Sequence, residues 1–158
     1  MERLLVLSPD MQLEKTRFLI PSACLILQQV CQKTMKSSVS IRTCTSSVCR
    51  KAGLVGSYAD YPNFQLLGLG FVILHGQQIV SGASSYSTYK EGIEIEVDTH
   101  PAFRQQGLAK VVSAQLILAC LAEGRSPSWD SHNKASLALA EKLGYVFSHE
   151  YLAYEFDW

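Results

Sequence analysis

The chain has 158 residues, of which 47% are hydrophobic and 18% charged, with 14 basic and 14 acidic side chains and a formal net charge of zero. That length predicts one domain, large enough to bury a core without staples. The balanced charge argues against a general nucleic-acid or membrane-surface binder.

The balance is uneven along the chain. Residues 1–60 carry eight Lys/Arg against four acids, a net of +4, and residues 61–158 carry six against ten, a net of −4. Chemistry in the second half would sit in a mildly acidic field, which suits a cationic or amine substrate, although solvated surface charge gives the same totals. The five cysteines, Cys24, Cys31, Cys44, Cys49 and Cys120, form an odd set with no CxxC pair and no zinc-ligand spacing. They read as reduced thiols in a cytoplasmic protein, with no metal site expected. The N-terminus lacks the pattern of a signal peptide. The longest apolar run, Phe18–Leu27, is too short to span a bilayer and contains Pro21.

In chain order, "MERLLVLS" reads as a short strand, and residues 11–35 show helical spacing interrupted at Pro21. "KSSVSIRTCTSSVCRK" reads either as a strand with its turns or as a mobile connection. Signals sharpen from residue 69. "GFVILH", "IVSGASSYSTY" and "IEIEVDT" are three strands joined by turns at Gly76-Gln77-Gln78 and Lys90-Glu91-Gly92, which makes an antiparallel meander. Residues 107–122 are apolar over a helical length and stop at Gly124, as expected of a helix buried against a sheet. "SPSWD" is a short strand. Ser131 or Asp130 can cap the next helix, where Ala135, Leu139 and Leu143 share a face before Gly144. "YVFSHEYLAYEF" supplies one or two closing strands. The expected fold is α+β (α/β), in the order βββαβαβ after an N-terminal helical region, and one domain over residues 1–158. Residues 50–158 would be its core, and residues 1–50 carry few signals.

Chemistry concentrates in "EGIEIEVDTHPAFRQQGLAK", residues 91–110. Glu94, Glu96 and Asp98 stand at alternate positions of one strand. Next come Pro101, Arg104, Gln105, Gln106 and Gly107, and then the apolar helix. A helix start leaves its first amides unpaired in a positive dipole field, Gly107 removes a side chain there, and Arg104 and Lys110 add charge. Such a turn can cradle a pyrophosphate. Judged alone, a plain strand–turn–helix explains it equally well, and the triple glycine of a dinucleotide fold is missing.

Arg104-Gln105-Gln106-Gly107-Leu108-Ala109 resembles the [Q/R]-x-x-G-x-[G/A] coenzyme A loop of the GNAT N-acetyltransferases. "WDSHNKASLALAEKLGY" is similar to the same family's second motif, an Asn opening a helix that ends in "EKLGF" or "EKLGY". Together with the meander upstream, the likeness covers residues 50–158 and is greatest to a bacterial branch that includes zwittermicin A resistance acetyltransferases. Chains of that branch are longer than this one.

The resemblance implies acetyl-CoA as cofactor, a small-molecule amine as acceptor and direct transfer in a ternary complex. By position, the backbone of Val97, Asp98 and Thr99 would pair with the pantetheine arm. Gln105, Gln106, Gly107, Leu108, Ala109 and Lys110 would offer amides to the pyrophosphate, with Arg104 shaping the loop. Asn133 would contact the cofactor arm, or else cap the helix, and Ser136 is a further contact candidate. A neutral amine nucleophile needs a base, so Glu94 and Glu96 are the catalytic candidates, Glu94 favoured by the Glu-Ile pair that opens the strand in this branch. The competing account makes the acids the solvated face of a strand whose odd face, Ile93, Ile95 and Val97, is core. Many relatives carry a tyrosine that protonates the leaving thiolate, and here that position is Ala140. Tyr145 aligns with a terminal aromatic that serves the core. Trp129 and Asp130 could line the cleft, though a core role and a cap explain them as well. His100 reads as exposed on its turn, and the four histidines form no ligand set. Two other outcomes compete with the enzyme: an acyl-CoA-binding module with weak or no turnover, and a structural domain. A homodimer through the end of the sheet near "YLAYEFDW" fits the family; nucleic acid and membrane are not expected partners.

Overall fold

The computed structural model describes residues 2–8, 39–44 and 57–153, with only the backbone of residues 2–8 and 152–153. The helical spacing at residues 11–35 lies outside the described residues, as do Cys24, Cys31 and Cys49.

The described elements are β1 (Glu2–Ser8), β2 (Val39–Thr43), α1 (Tyr61–Leu67), β3 (Gly70–His75), β4 (Gln78–Tyr89), β5 (Gly92–Thr99), a 3-10 turn (Pro101–Phe103), α2 (Leu108–Ala122), β6 (Ser126–Ser131), α3 (Lys134–Lys142) and β7 (Val146–Ala153). From β3 onward this is the expected βββαβαβ order. The seven described strands form one sheet in the order β2-β3-β4-β5-β6-β1-β7. Only β5 and β6 run parallel; the other pairs are antiparallel. The mixed, mostly antiparallel sheet flanked by helices is the predicted fold class.

Residues 39–43 settle one ambiguity, because they form a strand on β3 with Ile41 opposite Ile73. One helix went unread. Asp60 caps α1 by accepting the Asn63 N–H at 2.8 Å, and Pro62 sits in the first turn. Both are helix-start signals present in the sequence.

The central strands are apolar on both faces because both faces are covered. Ile73 of β3 enters the main core with Val80, Ala83, Ile93 and Ile95, whereas Val72 joins Phe64 and Cys44 in a second cluster. On α2, Leu108, Val111, Val112, Leu116 and Cys120 are buried at the spacing of one helix face. The side chains of α2 therefore anchor the helix across β3 to β6, and its start is fixed at the end of β5.

Strand β5 lies along β4 from Tyr89↔Gly92 to Ser81↔Thr99, but it pairs with β6 only at Gly92↔Ser126, Ile93↔Pro127 and Glu94↔Ser128. Beyond Ser128, β6 pairs with β1 through Trp129, Asp130 and Ser131 on its other edge. The two parallel strands thus separate after Glu94, and a wedge opens toward α2. The closed end needs a glycine: a Cβ on Gly92 would lie 2.0 Å from the Ser126 carbonyl oxygen.

The expectation of reduced thiols holds at Cys120, which is buried and free, with its thiol pushed up to about 11 by burial. It fails at Cys44, which is disulfide-bonded. Among the described residues no helix is long and apolar enough to cross a membrane, and no His/Cys/Asp/Glu group could hold a metal ion.

Candidate functional site

The wedge is the floor of a cleft of about 1470 Å³ bounded by β5, the loop into α2, β6 and α3. Its walls include the predicted residues Glu94, Glu96, Val97, Asp98, Thr99, Arg104, Gln105, Gly107, Leu108, Ala109, Lys110, Asn133 and Ser136. Gln106 is the one predicted residue outside it, exposed on the loop. The grouping follows from topology: a strand that parts from its neighbour, and two helices that both start on the open side.

The free edge of β5 can be read from one hydrogen bond. The His100 N–H donates to the Val80 carbonyl at 2.9 Å, so the two-residue period turns the backbone of Asp98 toward β4 and that of Val97 and Thr99 toward the gap. Thr99 is already engaged there. Its N–H donates to Asp98 Oδ1 at 2.7 Å, and its carbonyl accepts from Arg104 Nε at 3.1 Å. Val97 keeps a backbone edge facing the gap beyond the last β5–β6 pair. Of the three residues expected to pair through their backbones, Val97 has the geometry, Thr99 would have to exchange partners, and Asp98 faces the wrong strand.

The loop from β5 to α2 is tightly wound. His100, exposed as predicted, accepts the Ala102 N–H on Nδ1 at 3.3 Å, and Arg104 is tied back to Thr99. Gln105 has φ +61° and Gly107 φ +78°, so two left-handed residues stand around Gln106. Gly107 is the N-cap of α2 and no side chain caps it. The first intrahelical bond runs from the Val111 N–H to the Gly107 carbonyl at 3.2 Å. The Leu108, Ala109 and Lys110 amides have no intrahelical acceptor, and they point out of the helix start into the cleft with the positive end of its dipole. Arg104, Lys110 and, from α3, Lys142 make this end basic. Three open amides, a glycine at the cap and flanking cations fit a diphosphate.

α3 begins on the same cleft in another manner. Asn133 is its N-cap, and its Oδ1 accepts the Ser136 N–H at 2.9 Å. The cap expected at Ser131 or Asp130 is therefore corrected, since both belong to β6 and Ser131 is buried. Ser136 Oγ accepts from Trp129 Nε1 at 3.0 Å, which ties the buried indole to α3. Ala140, the position at which the family resemblance led us to look for a tyrosine, is buried in the core. Tyr145 is no substitute: its hydroxyl donates to the Pro127 carbonyl at 2.9 Å inside the protein.

The opposite end is acidic. Glu94 and Glu96 are half-buried on one face of β5, and both carboxyls are raised above the usual carboxylate range. Burial is the main cause in each; Asp130 adds to the effect at Glu94 and Asp98 at Glu96. Glu94 Oε2 accepts from Ser87 Oγ at 3.2 Å. Sequence reasoning left Asp130 between cleft and cap, and it missed Tyr86, His132 and Lys142. Tyr86 reaches the cleft because the β4–β5 register shifts between Ser85 and Ser87, and a bulge of this kind re-aims a side chain. No local pattern announces it.

A family model described as GNAT acetyltransferase matches residues 20–154. The chain belongs to the GNAT acetyltransferase family. Among relatives of this GNAT chain is the uncharacterized N-acetyltransferase YdfB of Bacillus subtilis (strain 168), 37% identical over 103 residues, which are 61% of this chain and 40% of that protein. A GCN5-related N-acetyltransferase-like protein from Streptococcus suis 89/1591 superposes with a TM-score of 0.79 at 41% identity, over 94% of this chain and 59% of that one. The structure of yncA from Salmonella typhimurium with its cofactor acetyl-CoA has a TM-score of 0.56 at 19% identity, over 68% of this chain and 79% of that one, a likeness of fold alone. The chain thus spans 40% of the curated relative and 59% of the Streptococcus suis protein.

Proposed function

We propose that the chain is an acetyl-CoA-dependent N-acetyltransferase that acetylates a primary amine of a small molecule by direct attack in a ternary complex. The observation that carries the reading is the cleft itself, with an uncapped helix start and cations at one end and half-buried carboxyls at the other. The amides of Leu108, Ala109 and Lys110 and the side chains of Arg104 and Lys110 would hold the pyrophosphate. The Val97 edge would receive the pantetheine arm, with Asn133 and Ser136 beside it. The bound cofactor would supply an activated acetyl thioester. Glu94, with Glu96 next to it, would receive the ammonium group of the acceptor and remove its proton. A carboxyl raised toward neutral pH is better matched to that task than an ordinary one.

Membership of the branch with the zwittermicin A resistance acetyltransferases, a single domain over residues 1–158, a cytoplasmic site of action and a homodimer belong to the same reading. The disulfide at Cys44 weighs against the cytoplasm, where thiols stay reduced. A second reading, an acyl-CoA-binding module with little turnover, draws on the buried Ala140, which leaves α3 without the usual proton donor. A coenzyme A thiolate leaves without such help, its pKa being near that of cysteine.

Calorimetry of the purified chain with acetyl-CoA and with free CoA, repeated on Gly107→Glu, tests the reading. Micromolar binding that the variant loses, followed by amine-dependent thiol release, is the expected result. Binding without release under any primary amine favours the module, and no binding by a folded chain sinks both.

A further inference from the structure

The acidic end of the cleft contains a chain of side-chain contacts drawn from four strands. Glu94 stands on β5 at its last paired position, opposite Ser128 of β6, and Asp130 is the next residue on that face of β6. Both carboxyls line the cleft where the strands part, and the Asp130 charge acts on Glu94 there. Ser87 Oγ donates to Glu94 from β4. From β7, the Tyr151 hydroxyl donates to Asp130 Oδ2 at 2.7 Å. Two neighbouring carboxylates repel each other, and a single proton taken up by the pair can be held between them. His132 lies beside the pair and also lines the cleft. The remaining titratable groups around it are Glu96 and Asp98 further along β5, and Tyr89 of β4, whose hydroxyl is 2.6 Å from Ser128 Oγ.

We propose that Glu94 and Asp130 act as one carboxyl pair that receives the ammonium group of the acceptor and takes its proton, with Tyr151 as the positioning residue that holds Asp130 toward Glu94. The proposal rests on the acetyltransferase reading and assigns the base to two residues instead of one. The ammonium group gives one proton to the doubly ionised pair, leaving a neutral amine and a singly charged pair with that proton held between the two carboxyls. The amine nitrogen then bonds the acetyl carbonyl carbon as the C–S bond breaks, and the second amine proton goes with the departing sulfur. The pair returns its extra proton to solvent at the Tyr151 end, where the ring is exposed. The upward shift of the Glu94 carboxyl, caused first by burial and next by Asp130, agrees with a shared proton.

The test is a 13C titration of the Glu and Asp side-chain carboxyls in the full-length chain, with and without butylammonium as probe, for the natural protein and for Asp130→Asn and Tyr151→Phe. A proton held between the two predicts that Glu94 titrates above the usual range. Asp130→Asn should lower the Glu94 midpoint. Tyr151→Phe should lower the Glu94 midpoint part of the way, by freeing Asp130, while leaving Glu96 in place, which a merely structural tyrosine would not do. Butylammonium should lower the Glu94 midpoint, because a bound cation favours the charged form. A Glu94 midpoint unmoved in Asp130→Asn, or a butylammonium effect on Glu96 alone, overturns the pair. Acetyl-CoA calorimetry on the same samples separates the two claims. Cofactor binding with independent carboxyls removes the pair and keeps the acetyltransferase. Coupled carboxyls in a chain that does not bind acetyl-CoA remove the catalytic role of both.

Discussion

Two helices start on one cleft, and they start in opposite ways. α2 opens on Gly107 in a left-handed conformation with no side-chain cap, while α3 opens on Asn133, whose side chain is spent on the Ser136 amide. The dipole is of the same kind in both. What differs is whether a residue of the chain has already satisfied the first-turn donors. An open start leaves its hydrogen bonds to a ligand; a closed one uses them for its own helix. The open amides at the basic end of the cleft therefore belong to α2, and the Asn133 side chain is spent on α3.

The largest expected effect is at Gly107. Gly107→Glu places a carboxylate and a strained backbone where the open start lies, and acetyl-CoA binding measured by calorimetry should weaken by about 100-fold or more. Next comes the end of the cleft that neither helix supplies. Glu94→Gln should lower kcat by about 10²-fold with acetyl-CoA affinity unchanged, and a matching loss of affinity would move Glu94 to the cofactor side. The same variant carries a pH signature. Because the folded state raises the Glu94 carboxyl, its contribution to stability is present at low pH and is lost as pH rises through the folded-state value. Glu94→Gln should consequently melt higher than the natural chain at pH 8 and show no such gain at pH 4, as read by calorimetric scans.

A smaller effect should follow at the closed start. Asn133→Ala should cost about 1 kcal/mol, seen as a Tm lower by about 2–4 °C, with acetyl-CoA affinity unchanged. A large loss of affinity there would erase the contrast between the two helix starts. The smallest effect is expected at Gln105, held at φ +61°. Gln105→Gly should stabilise the fold by about 0.5 kcal/mol in denaturant titrations, since glycine relieves the left-handed strain.

The basic end of the cleft was legible in the sequence because it is local. Arg104 to Lys110 lie within seven residues, and glycine, cations and a helix start are all written there in chain order. The meander was legible for a similar reason, its strands alternating and its turns short. The acidic end is different. Asp130 reaches Glu94 only through the parallel register of β5 and β6, and Tyr151 reaches Asp130 from β7, a strand separated from β6 by β1. No spacing in the sequence encodes a contact across an intervening strand. Tyr86 was invisible for another reason, since a one-residue bulge reverses which face a position occupies. α1 was missed although Asp60 and Pro62 announce it, because a seven-residue helix has too few turns to show a period.

Gly92 lines no part of the cleft, yet the cleft depends on it. Two rods that touch at one end and diverge at the other form a pair of dividers, and the residue at the rivet sets how far the points stand apart. With hydrogen in place of a methyl, the backbone of β5 closes onto Ser126, and everything downstream opens from that fixed angle. A graft of this loop and these acids onto another scaffold would thus carry over the tips of the instrument without the joint that gauges them.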